Sequence, residues 1–182
     1  MVISSIKKDF TLGNTDSYIS GIYNNVQITS YGYYGGVQSN RTDNYPSWCA
    51  FNESTYNQSE NVNTMLHKFF CPGNETYKNN YPVRIELKFL DGIKRYVSSC
   101  EINYGNTSSG QTKYYHKSIA FNLGGDTIYS DSNLGLLPRN TSHVFTFEQE
   151  QFSDVFNIIF SDSVNGGFIV NWIKILGYTE KD

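Results

Sequence analysis

The sequence predicts an all-β chain, an antiparallel β-sandwich of the jelly-roll kind, and three observations carry that expectation. Val83-Arg-Ile-Glu-Leu-Lys-Phe89 alternates apolar and charged residues strictly, which is the period of a strand with one buried face. Apolar segments recur between turn-forming clusters through the C-terminal half, while a 3.6-residue period is almost absent. Strands therefore follow strands without intervening helices. Aromatic residues form 16% of the chain against 38% for all hydrophobic residues, so Phe and Tyr rings must supply much of the buried area. A chain of 182 residues is expected to fold as one sandwich domain spanning 1–182, with a loop-rich N-terminal part.

From Thr11 to about Tyr81 the chain is rich in Asn, Ser, Tyr and Gly, with short β-like runs at Ser17–Tyr23 and Val26–Tyr31 and long loops between them. After Val83–Phe89, Asp91-Gly92 has the composition of a two-residue hairpin turn leading into Ile93–Tyr104. Such a turn sets Leu90 opposite Ile93, Leu87 beside Tyr96, Ile85 beside Ser98 and Val83 beside Cys100. Cys100 then points inward, and Glu86 lies outside, diagonal to Arg95. Further strands are expected at Lys113–Leu123, His143–Glu148, Val155–Ser161 and Phe168–Leu176. Turns fall at Gly124-Gly125-Asp126, Asp131-Ser132-Asn133 and Asp162–Gly167. Thr146–Phe156 has the Glu and Gln content for a single helical turn. Alternation puts Trp172 on one face with Phe168 and Val170, which favours a core position over an exposed platform.

The formal net charge is −3 and the 14 Lys and Arg are scattered. Nucleic acid and acidic lipid surfaces both demand clustered cations, so neither is an expected partner. A glycan or another protein remains. No apolar run is long enough to span a bilayer, and Met1-Val-Ile-Ser-Ser-Ile-Lys-Lys lacks the apolar core of a signal peptide. The three cysteines cannot all pair within the chain. Cys49 and Cys71 lie in the loop-rich half, where a bridge between them would stabilise by about 3 kcal/mol through loop closure. Asn-x-Ser/Thr sequons at Asn40, Asn52, Asn57, Asn74, Asn106 and Asn140 modestly favour a secreted or cell-surface setting over a cytoplasmic one.

Tyr31-Gly-Tyr-Tyr-Gly-Gly36, followed by Asn40, Arg41, Asp43, Asn44, Tyr45 and Trp48, is the candidate ligand site, with Tyr31, Tyr33 and Tyr34 as its first rings. Sugars stack their C–H faces on aromatic rings while amides, carboxylates and Arg bind the hydroxyls, and this run holds all of those groups. The competing reading is an ordinary loop whose tyrosines pack over the sandwich edge. Asp162 and Asn165, and separately Asp126 with Asp131, offer oxygen ligands of the kind calcium takes, although turn formation also explains Asp and Asn beside Gly. His67, His116 and His143 stand apart from any metal or nucleophile motif. Glu148, Glu150 and Asp154 would be the carboxylates of a hydrolase, but a solvated loop beside a strand explains them too. No catalytic centre is expected.

Phe156-Asn-Ile-Ile-Phe160 with Asn165-Gly-Gly-Phe-Ile-Val-Asn-Trp-Ile-Lys-Ile-Leu-Gly177 resembles the closing strand pair of galactose-binding-like jelly rolls, which include family 6 type carbohydrate-binding modules and discoidin domains. In that pattern an acidic or amide residue precedes an aromatic and an Ile, places taken here by Asn171, Trp172 and Ile173. The resemblance implies architecture more than ligand, and a β-prism lectin is the alternative fold. The expected function is a non-catalytic glycan-binding or adhesion module. A structural or protein-interaction domain, one subunit of an assembly, is the alternative.

Overall fold

The computed structural model describes residues 7–13, 22–23, 25–31, 47–51, 82–104, 115–135, 141–164 and 170–180. These contain strands β1 (Lys7–Gly13), β2 (Ile22–Tyr23), β3 (Val26–Tyr31), β4 (Val83–Phe89), β5 (Arg95–Tyr104), β6 (Tyr115–Leu123), β7 (Asp126–Asp131), β8 (Ser142–Thr146), β9 (Val155–Val164) and β10 (Val170–Glu180). Paired antiparallel, they make a four-stranded sheet, β1-β10-β5-β8, and a six-stranded sheet, β2-β3-β4-β9-β6-β7. The expected all-β sandwich is what forms. Among the described residues the only helical element is a short 3-10 helix, Ser47–Phe51, and no helix is long and apolar enough to cross a membrane.

The alternation read in β4 is the alternation found: Val83, Ile85, Leu87 and Phe89 are buried, while Arg84, Glu86 and Lys88 face outward. Phe156, Ile158 and Phe160 of β9 and Ile119, Phe121 and Leu123 of β6 extend that inner face. Val97, Cys100 and Ile102 of β5 with Ile173 and Ile175 of β10 oppose it. Phe121 is ringed by Phe147 at 4.9 Å, Phe145 at 5.0 Å, Tyr129 at 5.9 Å and Phe156 at 6.0 Å between centroids. Each fully buried side chain of this size contributes roughly 1.5–3 kcal/mol, so these Phe rings carry much of the burial in the described core.

The expected hairpin is overturned. β4 pairs with β3 and β9, whereas β5 pairs with β10 and β8, so the chain changes sheets between them. Asp91 makes this a corner: its carboxylate accepts the Ile93 N–H at 3.1 Å and the Arg95 guanidinium at 2.9 and 2.6 Å. Gly92 takes φ 75°, and the Arg95 guanidinium lies 4.1 Å over the Phe89 ring. Phe89 donates its N–H to Asp154 at 2.8 Å instead of to β5. An alternating strand announces a buried face and not its neighbour. Cys100 does point inward, but opposite Ile175 and Phe145 and not Val83, and burial pushes its thiol well above the usual range. Arg95 serves Asp91; Glu86 has Arg84 nearby, at 3.9 Å.

β1 and β7 were not anticipated. β7 is an edge strand, partly exposed, whose two ends read as turns. The helical turn within 146–156 is absent: Glu148 and Glu150 are exposed in an irregular connection anchored by the Gln149 amide on the Val97 carbonyl at 3.1 Å. Trp172 is also corrected. A β-bulge between Val170 and Trp172 inserts Asn171 into the ladder, and one extra residue reverses every later side chain. Val170 faces the core, and Trp172, opposite Asn103, is half-buried on the outer face.

Candidate functional site at the loop end of the sandwich

Strand direction separates the molecule into two ends. Connections 90–94, 124–125 and 147–154 lie at one end, and all are described. At the other, β3 ends with Tyr31 opposite Arg84, β5 ends with Tyr104 opposite Val170, β6 begins with Tyr115 opposite Val164, and β8 begins with Ser142 opposite Asn103. Connections 32–82, 105–114, 132–141 and 165–169 are therefore all anchored at this second end, the loop end.

Beneath it the sandwich is polar inside. Tyr104, the last residue of β5, donates its hydroxyl proton to His116 Nε2 at 2.8 Å, and His116 Nδ1 meets the Ser118 carbonyl at 3.2 Å. The carbonyl can only accept, so Nδ1 carries the proton and Nε2 is the acceptor. Burial, with His143 adding a smaller like-charge effect, lowers the His116 pKa from 6.5 to about 4, while burial raises the Tyr104 hydroxyl well above 10. Both are neutral at pH 7, and the pair joins the two sheets across the base of connection 105–114. On the outer face of the four-stranded sheet, the buried Asn171 donates to Asn103 Oδ1 at 2.7 Å, and Asn103 reaches Ser142 Oγ at 3.4 Å.

Of the sugar-site candidates, Tyr31 ends β3 at the loop end. Trp48 is corrected: it is only 3% exposed, in the 3-10 helix that plugs the sandwich between β1, β3 and β10, with Ala50 and Phe51 fully buried beside it. Tyr33, Tyr34, Asn40, Arg41, Asp43, Asn44 and Tyr45 lie outside the described residues. So do Asn165 and Cys71, and Asp162 and Cys49 are described by backbone only. Asp126 and Asp131 occupy opposite ends of β7, roughly 16 Å apart at the rise of a strand, so they cannot share one calcium ion.

A second group was missed altogether. On the outer face of the six-stranded sheet, Thr29, Glu86, Asn157, Asn122 and Thr127 stand in one transverse row across β3, β4, β9, β6 and β7. Asn157 is 7% exposed, and both its Oδ1 and that of Asn122 are buried without a hydrogen-bond partner. No sequence signal could have found the row, because strand pairing alone brings together residues from five separate segments.

No protein-family model matches the sequence, and no curated protein matches it. Solved structures do. A mutant form of chitosan-binding module 1 from a Paenibacillus sp. IK-5 chitosanase/glucanase superposes with a TM-score of 0.55 at 12% identity, over 84% of this chain and 95% of that one. The family 32 carbohydrate-binding module of C. perfringens NanJ, solved with galactose, gives 0.54 at 14% identity, over 84% and 93%. A fucolectin from striped bass (Morone saxatilis) serum gives 0.53 at 11% identity, over 85% of this chain and 47% of that one, so the chain spans about half of the fucolectin. Identity this low speaks to the fold alone. With two antiparallel sheets in this strand order and this set of structural likenesses, the chain has the galactose-binding-like jelly-roll fold.

Proposed function

We propose that the chain is a non-catalytic glycan-binding module whose ligand meets the loop end. The observation that carries this reading is the topology: both ends of connection 32–82, which includes the tyrosine, amide and Arg run 33–45, are anchored beside connections 105–114, 132–141 and 165–169. A rigid sandwich presenting several loops at one end is a common way to build a binding site. The three superposing proteins, a chitosan-binding module, a module solved with galactose and a fucolectin, support the glycan class. The weak net charge of −3 suits an uncharged or weakly charged sugar. An extracellular setting belongs to the same proposal.

A glycan array followed by calorimetric titration tests it. Tyr33→Ala and Tyr45→Ala are expected to weaken the best array ligand by tenfold or more and leave the unfolding midpoint unchanged. A blank array with folded protein, or full affinity in both variants, overturns the reading.

A further inference from the structure

The outer face of the four-stranded sheet departs from the polar side expected of a solvated antiparallel sheet. Trp172, Lys174, Leu176 and Tyr178 follow one another along the outward side of β10, each half-buried. Across the ladder Trp172 stands beside Asn103 and Ser142, Lys174 beside Glu101, and Leu176 beside Ser99 and Thr146. Tyr178 meets Tyr96, with ring centroids 5.6 Å apart. Among the described residues Trp172 has no ring contact and its indole N–H no acceptor, and Lys174 and Glu101, although direct partners, form no ion pair. A Trp donor, an ammonium and a carboxylate thus stand on a half-open surface with no protein group to satisfy them.

We infer that this face is a second glycan-binding surface, for an uncharged, extended chain of β-1,4-linked hexoses lying along β10. Trp172 and Tyr178 stand at either end of a stripe roughly 20 Å long at the rise of a strand, so their rings meet different sugars of one chain. Leu176 and the aliphatic stem of Lys174 lie between them, under the C–H faces of the intervening sugars. The hydroxyls of such a chain point sideways, where Glu101 accepts, Lys174 donates, and Ser142, Ser99 and Thr146 can do either. The charges of Lys174 and Glu101 cancel, so the stripe favours neither an anionic nor a cationic ligand. The inference rests on the glycan reading for the class of ligand but uses none of the residues 31–45.

The probes are β-1,4-linked glucose oligomers from dimer to hexamer, titrated by intrinsic fluorescence and calorimetry. Trp48 is only 3% exposed, so a ligand-dependent signal reports on Trp172. The expected result is a saturable fluorescence change, at least tenfold tighter binding of the hexamer than of the dimer, and at least tenfold weaker binding in both Trp172→Ala and Glu101→Gln. Glu101→Gln is expected to keep the unfolding midpoint, which separates lost binding from lost fold. A hexamer that leaves the fluorescence unmoved, equal affinity for dimer and hexamer, or full affinity in both variants would each overturn the surface. So would a dimer in light scattering that Trp172→Ala dissolves, because the face would then belong to a second copy of the chain. If Tyr33→Ala and Tyr45→Ala bind array ligands normally while the hexamer is held at Trp172, the loop-end reading fails and this one stands. If the tyrosine variants lose binding while Trp172 does not respond, the reverse holds.

Discussion

The two ends of this sandwich are built by opposite means. At the turn end, short connections are held by side chains that close on their own neighbours: Asp91 on Ile93 and Arg95, Ser153 Oγ on the Val155 N–H at 3.1 Å, Gln149 on Val97. Rings cover the turn end as well, with Tyr96 5.9 Å from Phe152 and 5.6 Å from Tyr178. The loop end instead has long connections outside and buried polar pairs beneath, Tyr104 with His116 and Asn171 with Asn103. One end is thus closed by local side-chain bonds, and at the other the buried polar pairs tie together the strand ends from which the longer connections leave.

The sharpest way to break this contrast is at the turn end. Gly177 sits at a bulge where a Cβ would overlap the Tyr96 carbonyl oxygen and crowd the Phe10 ring. Gly177→Val should cost about 4 kcal/mol, measured by denaturant titration, and a loss below about 1 kcal/mol would show that the bulge is not as tight as described.

Acid should act on the loop end. His116 takes up a proton near pH 4 when folded and near 6.5 when unfolded, so its contribution is complete above about pH 6.5 and disappears as pH falls towards 4. The full difference corresponds to about 3 kcal/mol. Amide exchange at His116, Ser118 and Tyr104 should accelerate over that window before exchange at Val97 does. Tyr104→Phe keeps the burial that lowers the His116 pKa, so the same acid window should persist in that variant. A protein whose stability is flat between pH 6.5 and 4 would show that burial does not hold His116 neutral.

A smaller effect belongs to the corner between sheets. Arg95→Met removes the bonds to Asp91 and to the Ile93 carbonyl at 2.6 Å and the guanidinium over Phe89, at a cost of about 2 kcal/mol. Glycan affinity should be unaffected. The smallest effect is at Val144, 56% exposed on an edge strand: Val144→Thr should shift stability by less than about 0.5 kcal/mol.

The fold was legible because burial repeats at the strand period in β4, β6 and β9, and no other period competed. Partner choice was not. Asp91-Gly92 carries the residues of a hairpin turn, yet the Asp91 carboxylate is taken by Arg95 and the chain changes sheets. Trp172 was misplaced by one inserted residue, Asn171, which no alternation rule foresees. Trp48 read as a sugar platform on composition, since exposure is decided by where the 3-10 helix docks. For the polar row, the chemistry resides in juxtapositions such as Glu86 with Asn157, which exist only after pairing.

The position of β10 has a kinetic consequence. It lies between β1 and β5, so that Lys7 is matched with Glu180 and Gly13 with Lys174. The earliest described strand thus has no ladder partner until the latest one has been synthesised. Non-local closure of this kind slows folding, because segment 7–13 cannot join its sheet before segment 170–180 is in place. The polar start of that strand, Lys7-Lys8-Asp9, would discourage premature association with other nascent chains.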